Sequence, residues 1–180
     1  GVRGYISAYN AESGELAWRF YTVPGTTSSA QGVEPGELMS TTWSESDTNL
    51  EKGGTVWDSI VYDPDTNSII FGVGNGSPWN PNIRSPGGGD NLFLSSIVSV
   101  DADTGEYRLH YQTTPGEAWD FTATQPIILT TMIFQGAERK VAIQAPKNGF
   151  LYIIDRTNGQ LLSADKFVDV NWASHVDIES

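Results

Sequence analysis

The chain has 180 residues, 38% of them hydrophobic and 11% aromatic, with a formal net charge of -12 at pH 7 and no cysteine. That apolar content suffices for a core of ordinary size, while the negative charge repels phosphate and argues against nucleic acid or anionic lipid as a partner. The missing thiols exclude a thiolate metal site and a haem c attachment motif within these residues, and no run approaches the roughly 20 apolar residues of a membrane-spanning helix.

Nineteen glycines and nine prolines set between short apolar runs favour an all-β chain. Strands are predicted at about 4–10, 15–21, 56–62, 67–74, 92–101, 106–112, 125–134, 139–145, 149–155 and 160–166. The opening GVRGYISAYN lies inside the first strand without an initiator methionine, as expected of a fragment of a longer protein. AYNAESGELAW (8–18), SVDADTGEYRL (99–109) and IIDRTNGQLLS (153–163) repeat one plan: strand, Asp or Asn, three residues, Gly, strand. Asn10, Asp101 and Asp155 can accept from backbone amides ahead of them, and Gly14, Gly105 and Gly159 can take positive φ. DPDTN (63–67) is a glycine-free variant. Hairpin turns recurring at such intervals indicate a repeat architecture.

Grouping the strands gives the last two strands of one blade (1–21), a full blade (56–112) and another (125–166), about two and a half four-stranded antiparallel blades of a β-propeller. A sandwich is the alternative. In up-and-down blades the Asp-to-Gly turns and DPDTN share one face of the disc. The opposite face collects residues 1–3, 22–55, 75–91, 113–124, 146–148 and 167–180, including Asp120 of PGEAWDFTATQPI (115–127). A carboxylate between two aromatics is either partly desolvated, hence more basic, or a turn cap with its neighbours packed elsewhere.

The strings GVRGYISAYNAESGELAWRFYTVPG, GGTVWDSIVYDP, GVGNGSPWN, RSPGGGDNLFLSSIVSVDADTGEY, YQTTPGEAWDFTAT and APKNGFLYIIDRTNG resemble the pyrroloquinoline quinone-dependent alcohol dehydrogenases, especially their quinohaemoprotein branch. The resemblance covers nearly the whole chain, with residues 26–52 divergent. It implies an eight-bladed propeller with Ala-x-Asp-x-x-x-Gly-x-x-x-Trp docking motifs and a quinone over a calcium ion on one face. Residues 8–18 fit that motif with Asn10 in the Asp slot and Trp18 at its end, whereas the other copies end in Leu109 and Ser163 and are expected to lack the tryptophan clamp.

By the same resemblance, Trp57 forms the floor beneath the quinone, Asn75 is a ligand to calcium, Asp120 is the catalytic base and Lys147 is the cation facing the quinone oxygens. The residue chemistry agrees: a flat ligand gains from a flat apolar surface, Ca²⁺ takes hard neutral oxygens, and a carboxylate can accept an alcohol proton. Read without the resemblance, Trp57 is a core residue at a strand start, Asn75 the centre of a Gly-Asn-Gly turn, and Lys147 a solvated turn lysine. A family glutamate ligand falls before Gly1. Thr122 stands where lanthanide-dependent members carry an additional aspartate. Asp90 and Asn91 are candidates to line the substrate entrance, and His110 and His175 are read as structural or exposed.

The implied activity is oxidation of an alcohol to an aldehyde in the bacterial periplasm. Electrons would pass to a haem c in a domain outside this chain, another cytochrome or ubiquinone, and the fragment alone would be inactive. A quinoprotein acting on sugars or polyols, and a non-catalytic propeller scaffold, are the alternatives.

Overall fold

The computed structural model describes residues 2–25, 35–44 and 53–178. Most of the divergent 26–52 stretch lies outside the described residues. The first sheet pairs β1 (Tyr5–Tyr9) with β2 (Leu16–Tyr21). The second contains β3 (Ile60–Asp63), β4 (Ser68–Gly72), β5 (Ser96–Asp101) and β6 (Tyr107–Gln112), and the third contains β7 (Ile128–Phe134), β8 (Ala137–Gln144), β9 (Phe150–Asp155) and β10 (Leu161–Lys166). Neighbours in each sheet are antiparallel and consecutive in sequence. Two short helices, α1 (Gly36–Ser40) and α2 (Pro81–Arg84), lie in connections. No described helix is long and apolar enough to cross a membrane.

Side-chain alternation explains the apolar runs SIIFG and SIVSVD. Successive strand residues point to opposite faces, and both faces of the second sheet are covered. Phe71, Val98 and Val100 pack with Ile6, Trp18 and Phe20 of the first sheet, whereas Ile70 and Ile97 pack with Ala142, Phe150, Tyr152 and Ile154 of the third.

The repeated turns close as their composition dictates. Asn10 Oδ1 accepts from the amides of Glu12 and Ser13, and Asp101 Oδ1 from those of Asp103 and Thr104, each at 2.9 Å. Asp155 Oδ1 accepts from the Thr157 amide at 3.0 Å. In the glycine-free turn, Asn67 takes the positive φ, at 49°. The turns also join the sheets. Trp18 Nε1 donates to Ala102 O at 3.1 Å, and its ring lies against Gly105, where an added Cβ would meet it at 2.6 Å. Leu109 repeats this relation one sheet later: its Cβ would lie 3.5 Å from a Cβ on Gly159. At this second seam a leucine contact thus stands where the first has the tryptophan. Arg156 crosses there as well, with Nε 2.8 Å from Asp63 Oδ2 and one Nη 2.5 Å from Asp65 Oδ2.

Two predicted strands start four residues late. The segment 56–59 is a loop because Ser59 has φ 64°, so β3 begins at Ile60 and Trp57 precedes it. Leu92, Phe93 and Leu94 form a buried turn bounded by Asn91 (φ 59°) and Ser95 (φ 47°), and β5 begins at Ser96. An apolar run there meant burial without extension.

Candidate active site

The face opposite the repeated turns is built by the loops before β3, between β4 and β5, between β6 and β7, between β8 and β9, and after β10. Trp57 is 61% exposed and lies outside the core that the described residues form. It lies beside Gly74, where an added Cβ would be 3.2 Å from the indole Nε1 and 3.0 Å from Thr55 O. The Gly74 amide donates to Thr55 O at 3.0 Å and the Gly54 amide to Asn75 O at 2.9 Å, bracing the asparagine loop against the tryptophan loop. Asn75 Nδ2 donates to Gly76 O at 3.1 Å. That orientation leaves the amide oxygen without a donor among the described residues.

Asp120 and Lys147 come together from loops 27 residues apart, with Nζ 3.3 Å from Oδ2. Their side chains are 38% and 45% exposed, so the pair contributes little stability and its importance is positional. Asp120 has φ 59°. Its aromatic neighbours stack on one another, Trp119 on Phe121 at 5.6 Å, and both pack against Trp172, at 5.8 and 5.6 Å. Asp120 does not cap the turn. Glu117 does: it is fully buried, and its Oε1 accepts from the amides of Trp119 (2.5 Å) and Phe121 (2.8 Å).

The two pairs of predicted residues are stitched through Ser95, whose amide donates to Gly74 O at 3.1 Å and whose Oγ donates to Phe121 O at 2.5 Å. The Ala123 amide donates to Val73 O at 3.1 Å beside it. Lys147 is held by buried Asn148, whose Nδ2 donates to Tyr152 Oη (2.7 Å), Thr113 O (3.2 Å) and Thr114 Oγ1 (3.3 Å) and whose carbonyl accepts from Trp172 Nε1 (2.8 Å). Burial pushes the Tyr152 phenol up from its ordinary pKa and that of Tyr111, 5.6 Å away, to about 12. Both therefore stay neutral, and Tyr152 Oη donates to Thr113 O at 3.1 Å. Phe121, Lys147 and Trp172 line an open cavity of about 480 Å³.

Asn91 is not at an entrance: it is buried, and its Oδ1 accepts from Arg84 Nε at 3.2 Å. Asp90 contributes its backbone carbonyl to the amide of Gly116 at 3.0 Å. His110 packs on Phe93, its Nδ1 2.8 Å from Tyr107 Oη, and burial lowers its pKa. His175 is exposed.

Sequence reasoning missed Glu117, Arg84, Ser95 and Asn148. Glu117 left a signal, an acid immediately after Pro-Gly with two amides within reach ahead of it. The other three reach across the chain, Arg84 to Glu117, Ser95 to Phe121 and Asn148 to Thr113, and those distant partners left none.

The family described as glucose/ethanol/alcohol dehydrogenase, beta-propeller domain, of the PQQ type, matches residues 1–168. The chain is 56% identical over 181 residues to quinohemoprotein alcohol dehydrogenase ADH IIB of Pseudomonas putida, covering 99% of this chain and 26% of that protein. Among solved structures, quinohemoprotein alcohol dehydrogenase ADHIIG from Pseudomonas putida superposes with a TM-score of 0.93 at 55% identity, over 99% of this chain and 26% of that one. A europium-containing methanol dehydrogenase superposes at 0.80 with 29% identity, over 99% of this chain and 32% of that one. The chain thus spans about a quarter of the length of the curated relatives it matches. Its sheets are blades of a β-propeller, and the chain belongs to the PQQ β-propeller family of the glucose, ethanol and alcohol dehydrogenases.

Proposed function

We propose that these residues form part of a quinohaemoprotein alcohol dehydrogenase and contribute its catalytic base, a metal ligand and the floor and cationic wall of its quinone site. The observation that carries this reading is the Asp120–Lys147 pair at 3.3 Å, on the face that also bears Trp57 and Asn75. The donor set suits the group. An exposed indole offers a flat apolar surface to a planar ring, a lysine faces a ligand rich in anionic oxygen, and the undonated Asn75 oxygen offers a hard neutral ligand to calcium.

When bound, pyrroloquinoline quinone accepts the two electrons of the alcohol as hydride, with calcium as the Lewis acid beside it. The chain supplies the rest. Asp120 takes the hydroxyl proton onto its carboxylate. Lys147 has three N–H donors, so Nζ can hold Asp120 Oδ2 and still donate to a second oxygen in the site. Trp57 would offer the surface on which the ring rests, and the Ser95 stitch ties the loop of Asn75, beside Trp57, to the loop of Asp120.

Alcohols are favoured over sugars because the relatives at 52–56% identity are named alcohol dehydrogenases. The proposed setting is the bacterial periplasm, with electrons leaving to a haem c, another cytochrome or ubiquinone. In the complete enzyme, Asp120→Asn is expected to lower turnover roughly 10²–10⁴-fold while quinone content, read by absorbance, stays intact. Near-normal turnover at full loading overturns the assignment.

A further inference from the structure

Asp120 occupies the left-handed region at φ 59°, where a non-glycine residue needs local support. The support comes from both sides. The amides of Trp119 and Phe121 converge on the one oxygen Glu117 Oε1, at 2.5 and 2.8 Å. Amides drawn to a common oxygen make a concave turn, and the residue between them projects its side chain from the convex side. Asp120 accordingly meets Lys147 at 3.3 Å.

Glu117 is itself fixed by a cation. Its backbone carbonyl accepts from an Nη of Arg84 at 2.6 Å, and Arg84 is fully buried. The other Nη of Arg84 donates to Pro78 O (2.8 Å) and Trp79 O (3.0 Å), and Nε donates to Asn91 Oδ1. A Cβ on Gly76 would lie 2.6 Å from that second Nη, so the guanidinium lies directly beneath the loop of Asn75. One buried arginine therefore backs the metal-ligand loop and anchors the base loop.

The second carboxylate oxygen of Glu117 is buried without a hydrogen-bond partner among the described residues. Burying a carboxylate that is only half satisfied is costly, and a serine or asparagine would close an ordinary turn without that cost. What the longer carboxylate adds is reach to two amides, two and four residues ahead of it, with charge-assisted strength.

We infer that Glu117 is a positioning residue for the reaction proposed above: by binding the amides on either side of Asp120 it holds that residue in the left-handed conformation from which its carboxylate reaches the site. The inference rests on Asp120 being the base. Arg84 is the strut that keeps this arrangement in register with Asn75.

The test uses the complete holoenzyme, with kcat, KM for the alcohol, quinone content and thermal midpoint measured for each variant. Glu117→Ala is expected to lower kcat per bound quinone roughly 10²-fold, the scale of a misplacement near 1 Å, with KM little changed. Glu117→Gln keeps an acceptor oxygen at the same reach and is expected to recover most of that loss. A Glu117→Ala enzyme with unchanged kcat per bound quinone, or one that loses only stability or loading, overturns the inference. So does a Glu117→Gln enzyme as slow as the alanine variant.

Should Glu117→Ala fail to fold, Glu117→Asp decides: it keeps the charge but is one methylene short, so its kcat should fall at full loading, and wild-type kcat overturns the proposal. Asp120→Asn, measured in parallel, separates the two levels. If it stays active, the base assignment fails and this inference falls with it. If it is inactive beside a Glu117→Ala enzyme of normal kcat, only the positioning role fails.

Discussion

Thr122 is buried, and its hydroxyl oxygen accepts from Thr124 Oγ1 at 3.1 Å and Gln125 Nε2 at 3.2 Å. A neutral side chain engaged in this way adds no charge to the metal site, and Asn75 also offers a neutral oxygen. A trivalent ion calls for one more carboxylate than a divalent one. Calcium is therefore the expected metal, even though the fold extends to a europium-containing methanol dehydrogenase at 29% identity. Reconstituting the full-length apoenzyme with calcium or lanthanum checks this, and alcohol oxidation with lanthanum alone would refute it. At this scale the sequence was legible where chemistry sits in a local string: Asn75, Asp120 and Lys147 lie in loops that strand parity assigned to this face, whereas Trp57, predicted inside a strand, lies in the loop before β3. It was not legible for Arg84, because an arginine between Ile and Ser looks like any solvated residue until Glu117 O and Asn91 Oδ1 are brought to it.

Among the elements, the Asp-to-Gly turns were the most legible feature, since side-chain cap and positive φ are both set within five residues. Their second role, as docking points between sheets, depends on long-range contact. Gly14 and Gly105 separate the two roles. Both have positive φ, 73° and 74°, but a Cβ on Gly14 meets nothing within 4 Å, whereas one on Gly105 runs into the Trp18 ring at 2.6 Å. Gly14→Ala is expected to cost about 1–2 kcal/mol from backbone strain alone. Gly105→Ala should cost about 1–3 kcal/mol more through overpacking of the seam. Denaturant unfolding of the two variants in the complete protein measures the difference, and equal losses would show that the Trp18 contact is not felt. The misplaced strand starts belong to this scale too: Ser59 and Ser95 carry positive φ that no residue type announced.

For the whole molecule, the regular recurrence of the turns made a repeat fold legible, but the packing of sheet on sheet sets how much of it stands alone. The second sheet is covered on both faces, while β1 leaves Tyr5 and Tyr9, and β7 leaves Ile128 and Ile133, exposed. Propeller blades bury such faces against neighbours, and apolar faces left in water favour association. The candidate site is similarly one-sided. Trp57 offers a floor with its face largely open, Asn75 offers a single neutral ligand, and the described residues contain no group of three or more His, Cys, Asp or Glu able to hold a metal. Because a hard dication needs six to eight oxygens, carboxylates among them, these 180 residues made alone are expected to bind neither calcium nor pyrroloquinoline quinone tightly and to oxidise no alcohol. Calorimetric titration with each ligand, followed by a dye-linked ethanol assay, tests this directly. Micromolar or tighter binding, or measurable oxidation, would mean that one quarter of the enzyme's length carries a complete site, and the proposed division of ligands between this chain and the rest of the propeller would have to be abandoned.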